Sequence, residues 1–96
     1  ERWKNDIQVA EKCVLNYGNG RALPQSVFDS AVSITFNAGC GAVRNSTLFK
    51  QLRSGNYYQA CYEYPKWVYA GGNKLPGLVS RREKEKALCL VDLTSH

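Results

Sequence analysis

The stretch SITFNAGCGAVRNSTLFKQL, Ser33 to Leu52, decides how this chain folds. Its first half closes a helical pattern that begins at Pro24, a residue suited to the first turn of a helix. Val27, Phe28, Ala31, Val32, Thr35 and Phe36 recur at helical spacing and give that segment a wide apolar face. This marks Pro24 to Ala38 as the central helix of the core. Gly39 and Gly41 end it. The second half opens a shorter amphipathic helix, capped by Asn45 or Ser46, carrying Leu48 and Leu52, and stopped by Gly55. One residue does not fit a purely structural reading. Asn37 follows Phe36 directly, where a buried helix would more simply carry another apolar residue.

Outward from this centre, the pattern stays helical. Upstream, Trp3, Ile7, Ala10, Val14 and Tyr17 alternate in steps of four and three and form one stripe, with Cys13 on its flank. The glycines and proline of NYGNGRALP stop that helix. No capping residue precedes Glu1, although Trp3 already lies on the apolar stripe, and the chain holds no methionine. Together these features suggest that Glu1 stands inside a longer helix, with part of the protein upstream. Downstream, Asn56 caps YYQACYEY, Pro65 limits it, VYAGGNKLPG reads as a loop, and a final helix covers about Leu78 to Val91. The polar run Ser80 to Lys86 reads as a solvated helix face with weak ion pairs. No sheet signal, repeat or linker is visible. The expected class is all-α, a compact bundle of about five short helices.

Composition narrows the function. A net charge of +5 on 96 residues suggests an anionic partner: nucleic acid, an acidic lipid surface or a bacterial cell wall. The apolar runs are too short to span a membrane, and no signal peptide opens the chain. Any targeting segment was removed or lies upstream. The four cysteines form no Cys-x-x-Cys pair and the single histidine is His96, so neither a zinc site nor any other metal or cofactor is expected. An even cysteine count in so small a chain leans towards two disulfides and an oxidising compartment, with four buried thiols in a cytosolic protein as the rival reading.

Histidine-assisted nucleophilic catalysis has no base here, and phosphate-binding glycine motifs are absent. The acids are Glu1, Asp6, Glu11, Asp29, Glu63, Glu83, Glu85 and Asp92. Nearly all fall on polar helix faces, and nothing marks two of them as facing each other across a cleft as a glycosidase requires. The residues describe a binding lobe without its catalytic group. A basic nucleic-acid-binding domain is a second reading, with Tyr57, Tyr58, Tyr62, Tyr64, Trp67 and Tyr69 as stacking platforms. Its basic residues are scattered, however, and no recognition helix is evident. A small secreted helical interaction protein held by disulfides is a third.

Several short motifs favour the first reading. Phe36-Asn37-Ala38-Gly39, Ser46-Thr47-Leu48, Gly55 with Tyr57, Trp67, Ala70-Gly71-Gly72, Gly77-Leu78 and Arg81-Arg82-Glu83 with Glu85 occur in order over some sixty residues. This segment resembles the C-terminal lobe of phage-type lysozymes, glycoside hydrolase family 24, and is most similar to lambdoid endolysins of the signal-anchor-release kind. Residues 1–17 resemble the second half of the helix that joins the two lobes in that family, and residues 18–96 the C-terminal helical lobe of its lysozyme-like α+β fold. The family's N-terminal lobe carries a Glu-x8-Asp-x5-Thr pattern. No such pattern occurs here, so the resemblance supplies no catalytic residue in this chain, and the N-terminal lobe would come from upstream or from a separate chain.

The resemblance implies hydrolysis of the bond between N-acetylmuramic acid and N-acetylglucosamine in peptidoglycan, in the periplasm of a bacterial host. Nucleic acid would then be no partner. It places Phe36 and Asn37 at the floor of the interlobe cleft, with helix capping as the alternative role for Asn37. It places Ser46 or Thr47 near bound saccharide and Trp67 on the cleft wall, with capping and core packing as their alternatives. One of Arg81 and Arg82 would face the catalytic Glu. Cys61 and Cys89 lie where related endolysins also carry cysteines, which implies the pairs Cys61–Cys89 and Cys13–Cys40.

Overall fold

A computed structural model describes the backbone of residues 2–67, 69–70, 73–74 and 76–94, and the side chains of residues 7–67 and 77–94. The side chain of Trp3, and Gly71, Gly72 and His96, therefore lie outside the described residues.

Helix α1 covers Arg2–Tyr17, α2 Gln25–Ala38, α3 Cys40–Val43, α4 Thr47–Arg53, α5 Tyr57–Cys61 and α6 Pro76–Thr94. Short 3₁₀ turns sit at Gly20–Ala22 and Tyr64–Lys66. The all-α class expected from the sequence holds, with three refinements. Gly39, at a left-handed φ of 95°, ends α2, and the chain re-enters a single helical turn, α3, instead of a loop. The helix expected over YYQACYEY shortens to α5 and resumes as the 3₁₀ turn that contains Pro65. Within VYAGGNKLPG, β1 (Tyr69–Ala70) and β2 (Asn73–Lys74) pair antiparallel, with Tyr69 opposite Lys74.

Helix α2 is the central element. Its Val27, Ala31 and Ile34 are fully buried, and so is Ser30. The buried hydroxyls are satisfied along the helix itself: Ser30 Oγ donates to Val27 O at 3.0 Å and Thr35 Oγ1 to Ala31 O at 2.7 Å. Around α2 pack Cys13 and Val14 of α1, Leu48, Phe49 and Leu52 of α4, and Cys61 of α5. Tyr64 is also fully buried, and its hydroxyl donates to Ser30 Oγ at 3.0 Å. Burial raises its pKa far above the ordinary tyrosine value; the nearby Glu85 charge adds a smaller rise, while Ser30 and Arg82 oppose it.

Two disulfides lock the arrangement, Cys13–Cys40 with Cα atoms 5.9 Å apart and Cys61–Cys89 at 5.6 Å. The first pair needs an explanation, because a tight antiparallel hairpin would separate the ends of α1 and α2. Fourteen residues at 1.5 Å each place the start of α2 about 20 Å from Cys40. Residues 18–24 therefore carry the chain away from the end of α1, so that α2 returns its C-terminal end to Ala10 and Cys13. The reversal is close-packed: a Cβ on Gly20 would stand 2.9 Å from the Leu15 Cα atom, so only glycine fits there.

Helices α2 and α6 run antiparallel. Ser26 meets Cys89 and Asp92, Ser33 meets Glu85, and Asn37 meets Arg82. No helix among the described residues is long and apolar enough to cross a membrane.

Candidate functional site

The C-terminal end of α2 and the N-terminal half of α6 build a polar cluster beneath a groove. The groove forms because α6 turns one flank outward. Ser33, Gly77, Ser80, Arg81, Lys84, Glu85 and Leu88 line a space of about 410 Å³ between α2 and α6. It continues past Arg81 to Ile7, Asp29, Val32 and Phe36, so α1, α2 and α6 all contribute. Phe36 is 39 % exposed and presents apolar surface at this edge.

Under the groove, Arg82 is 1 % exposed and Glu85 4 %. Arg82 joins three elements through one guanidinium. Its Nε donates to Trp67 O at 2.9 Å, its Nη1 to Glu85 Oε1, and its Nη2 to Asn37 Oδ1. The second oxygen of Glu85 accepts from Ser33 Oγ. The ionic pair is thus buried with each of its side-chain nitrogens and oxygens hydrogen-bonded, the condition under which a buried ion pair is tolerated. With both oxygens of Glu85 accepting, that carboxylate serves the scaffold.

This corrects one expectation. The polar run of α6 is not wholly a solvated face. Arg82 and Glu85 take interior positions on the stripe shared with Cys89, and only their neighbours point outward. Among those neighbours Lys86 pairs with Glu83 at 3.3 Å on the surface. Ser33 and Glu85 were not among the expected site residues. The signal was the spacing of Leu78, Arg82, Glu85 and Cys89 in steps of four, three and four, masked by the charges it carries.

The remaining expected residues separate by role. Asn37 lies inside α2, Gly39 takes the cap, and the Asn37 side-chain Oδ1 accepts from Arg82, so helix capping does not account for Asn37. Trp67 is partly buried against the core, and its carbonyl anchors Arg82. Arg81 and Arg82 part company: Arg81 is exposed on the groove and Arg82 is withdrawn beneath it. Ser46 caps α4, its Oγ accepting from Phe49 N at 3.3 Å while donating to Val43 O. Thr47 follows it, exposed at the helix start. The aromatic cluster divides between core and surface, Tyr62 being exposed and the side chain of Tyr69 lying outside the described residues. Tyr64 is core, and the Tyr57 and Tyr58 hydroxyls donate to the carbonyls of Ala22 and Leu93.

Comparison with known proteins gives consistent matches. The family model described as phage lysozyme matches residues 1–85. The SAR-endolysin of Escherichia phage P1 is 31 % identical over 97 % of this chain and 56 % of its own length. The SAR-endolysin of Haemophilus phage HP1 is 34 % identical over 91 % of this chain and 53 % of its own length. The chain thus spans about half the length of these curated relatives. Among solved structures, the active form of the P1 phage endolysin Lyz superposes on 98 % of this chain and 60 % of that one, with a TM-score of 0.91 at 31 % identity.

Proposed function

Because the chain belongs to the phage lysozyme family, we propose that it forms the C-terminal lobe of a peptidoglycan-degrading endolysin. The reaction is hydrolysis of the bond between N-acetylmuramic acid and N-acetylglucosamine, carried out in the periplasm of the bacterial host. Residues 1–17 are the second half of the interlobe helix and residues 18–96 the lobe itself. The catalytic Glu, with its Asp and Thr, is supplied from outside these 96 residues, and the present chain forms the opposing wall of the cleft.

The observation that carries this reading is the groove on α1, α2 and α6, open along Phe36 and Arg81 and underpinned by buried Arg82. Its side chains divide the work. Phe36 offers a flat apolar surface to a sugar face, and Asn37 and Trp67 belong to the floor and wall. Thr47 is the candidate for saccharide contact at α4, since Ser46 is engaged in capping. Arg81 is the arginine that faces the catalytic Glu. Arg82 is withdrawn beneath the groove and already engaged with Asn37, Trp67 O and Glu85, which favours Arg81 for that role. A cation beside the general acid favours its ionised form, so its placement tunes when the proton is given. The net charge of +5 favours the anionic wall.

Turbidity loss of outer-membrane-permeabilised Gram-negative cells tests the reading. The 96-residue chain alone is expected to be inactive, and the chain joined to the coding sequence upstream of Glu1 is expected to lyse. Concentration-dependent lysis by the 96 residues alone would move the general acid into this chain and end the proposal.

A further inference from the structure

Arg44 and Arg53 take no part in the groove, yet both side chains reach the same residue. Arg44 follows α3, Arg53 ends α4, and they converge on Tyr17, the last residue of α1. The Arg44 guanidinium lies over the Tyr17 ring, 5.2 Å from its centre, and its Nη1 donates to the Tyr17 hydroxyl oxygen at 3.4 Å. Arg53 Nη1 donates to Tyr17 O at 2.8 Å and to Arg44 O at 3.1 Å. All three residues are exposed.

Among the described residues no carboxylate balances this charge. The ion pairs belong to Lys66, Arg82 and Lys86, and Asp29 and Asp92 accept from Gln25 and Ser26. The C-terminal end of α1 offers roughly half a negative charge, against two full positive ones. The ring and the two carbonyls already order the guanidinium groups, so little side-chain freedom is left to lose on binding. Arg53 Nε and Nη2 have no hydrogen-bond partner among the described residues, and the Tyr17 hydroxyl keeps its proton to donate. This is a donor set suited to a planar oxyanion, which arginine binds in fork geometry.

The position narrows the partner. A hollow of about 220 Å³ shares Phe36 with the groove and runs to Gly39 and Cys40. Arg44 lies one helical turn beyond it, its N donating to Cys40 O at 2.9 Å. A polymer that leaves the groove past Phe36 along α3 meets the cluster next.

We infer that Arg44, Arg53 and Tyr17 form a carboxylate-binding subsite outside the groove, which takes the free carboxylates of peptidoglycan stem peptides. The inference rests on the reading of the groove as a peptidoglycan-binding wall.

The test uses the full-length protein on two substrates: solubilised peptidoglycan, and the same material with its carboxyl groups capped as amides. Arg44→Gln carries the test, because Arg44 contacts only the exposed face of Tyr17. Its KM on uncapped material is expected to rise roughly three- to fivefold, the upper range for an exposed ion pair, with kcat and melting temperature unchanged. On capped material parent and variant are expected to share one KM, above that of the parent on uncapped material. Adding Arg53→Gln raises KM further and lowers the melting temperature, since two helix-end carbonyls lose their donor. Lys12→Gln removes the same charge from an exposed site on α1 and is expected to leave KM at the parent value.

A parent-like KM in Arg44→Gln on uncapped material would overturn the subsite. So would an equal KM rise on both substrates, or the same rise in Lys12→Gln, which would reduce the effect to net charge. Parent-like KM together with binding to phosphatidylglycerol vesicles that Arg44→Gln abolishes would give the cluster to lipid phosphate and overturn the carboxylate assignment. Hydrolysis of neither substrate by the parent would overturn the reading of the groove itself, and the subsite with it.

Discussion

The two ends of the α2–α6 contact are held by different chemistry. At the start of α2, Asp92 Oδ2 accepts from Ser26 N at 2.9 Å, Ser26 Oγ accepts from Asp92 N at 3.0 Å, and the same hydroxyl donates to Cys89 O at 3.1 Å. Pro24 gives α2 no side-chain cap, so the cap arrives from α6, 66 positions away. The Cys61–Cys89 disulfide stands beside it. At the other end Arg82 and Glu85 are buried where apolar side chains would pack more cheaply, bonded to half-buried Ser33 and exposed Asn37. The first end is built to hold two helices together. The second accepts an ion pair inside the protein directly beneath an open groove. On the proposed reading, the buried pair orients the wall of the groove above it.

The comparison can be broken most severely at the cluster. Arg82→Ala or Glu85→Ala leaves the partner charge buried and unpaired, with an expected loss of about 3–5 kcal/mol in denaturant unfolding. Replacing both by apolar residues of similar size, Arg82→Met with Glu85→Leu, is expected to restore much of that loss. If the double variant is as unstable as the singles, the cluster holds the helices together much as the other end does. Next in size is the Cys61–Cys89 bridge, whose cysteines are 28 positions apart. Replacing both by alanine is expected to lower stability by up to about 3.6 kcal/mol, the figure loop-closure entropy gives for that separation. Asp92→Ala follows at about 1 kcal/mol, the usual scale of a lost helix cap, with Asp92→Asn retaining part of it.

Tyr64 gives a pH-dependent counterpart. Its folded pKa lies above the unfolded value of 10.0 because burial disfavours the phenolate. The folded state therefore holds the proton more tightly, and this contribution is fully present below pH 10.0 and declines as pH rises above it. Unfolding measured from pH 9 upward should show that decline, and Tyr64→Phe should flatten it. An unchanged slope in Tyr64→Phe would assign the alkaline loss to other groups.

Much of this was legible in the sequence, and what was not has a physical reason. The apolar stripes of α1 and α2 set their helices because nothing competes with helical periodicity there. The motifs from Phe36 to Glu85 pointed to the family because their order and spacing are specific. Arg82 and Glu85 were misread because charge ordinarily signals solvent, and the burial of their ion pair is made tolerable by partners far along the chain, Asn37 and Trp67 on Arg82 and Ser33 on Glu85. Periodicity placed both residues on the inner stripe, but the free energy of burying them depends on contacts that a local pattern does not contain. The choice between Arg81 and Arg82 was open for the same reason. Adjacent residues on a helix point about 100° apart, so one can lie inside and the other out.

Arg81 provides the smallest effect on stability and the most direct test. The measurement is the rate of turbidity loss of permeabilised Gram-negative cells by the full-length protein carrying Arg81→Ala, beside its unfolding midpoint. Arg81 is exposed on the groove and bears no part of the buried cluster. Its removal is expected to change stability by no more than about 0.5 kcal/mol while lysis falls at least tenfold, the least that loss of general acid–base assistance worth about 10²–10⁴ would leave if partly impaired. Lysis at the parent rate with an unchanged midpoint would contradict the account, because the open groove with Arg81 on its wall would then take no part in the reaction.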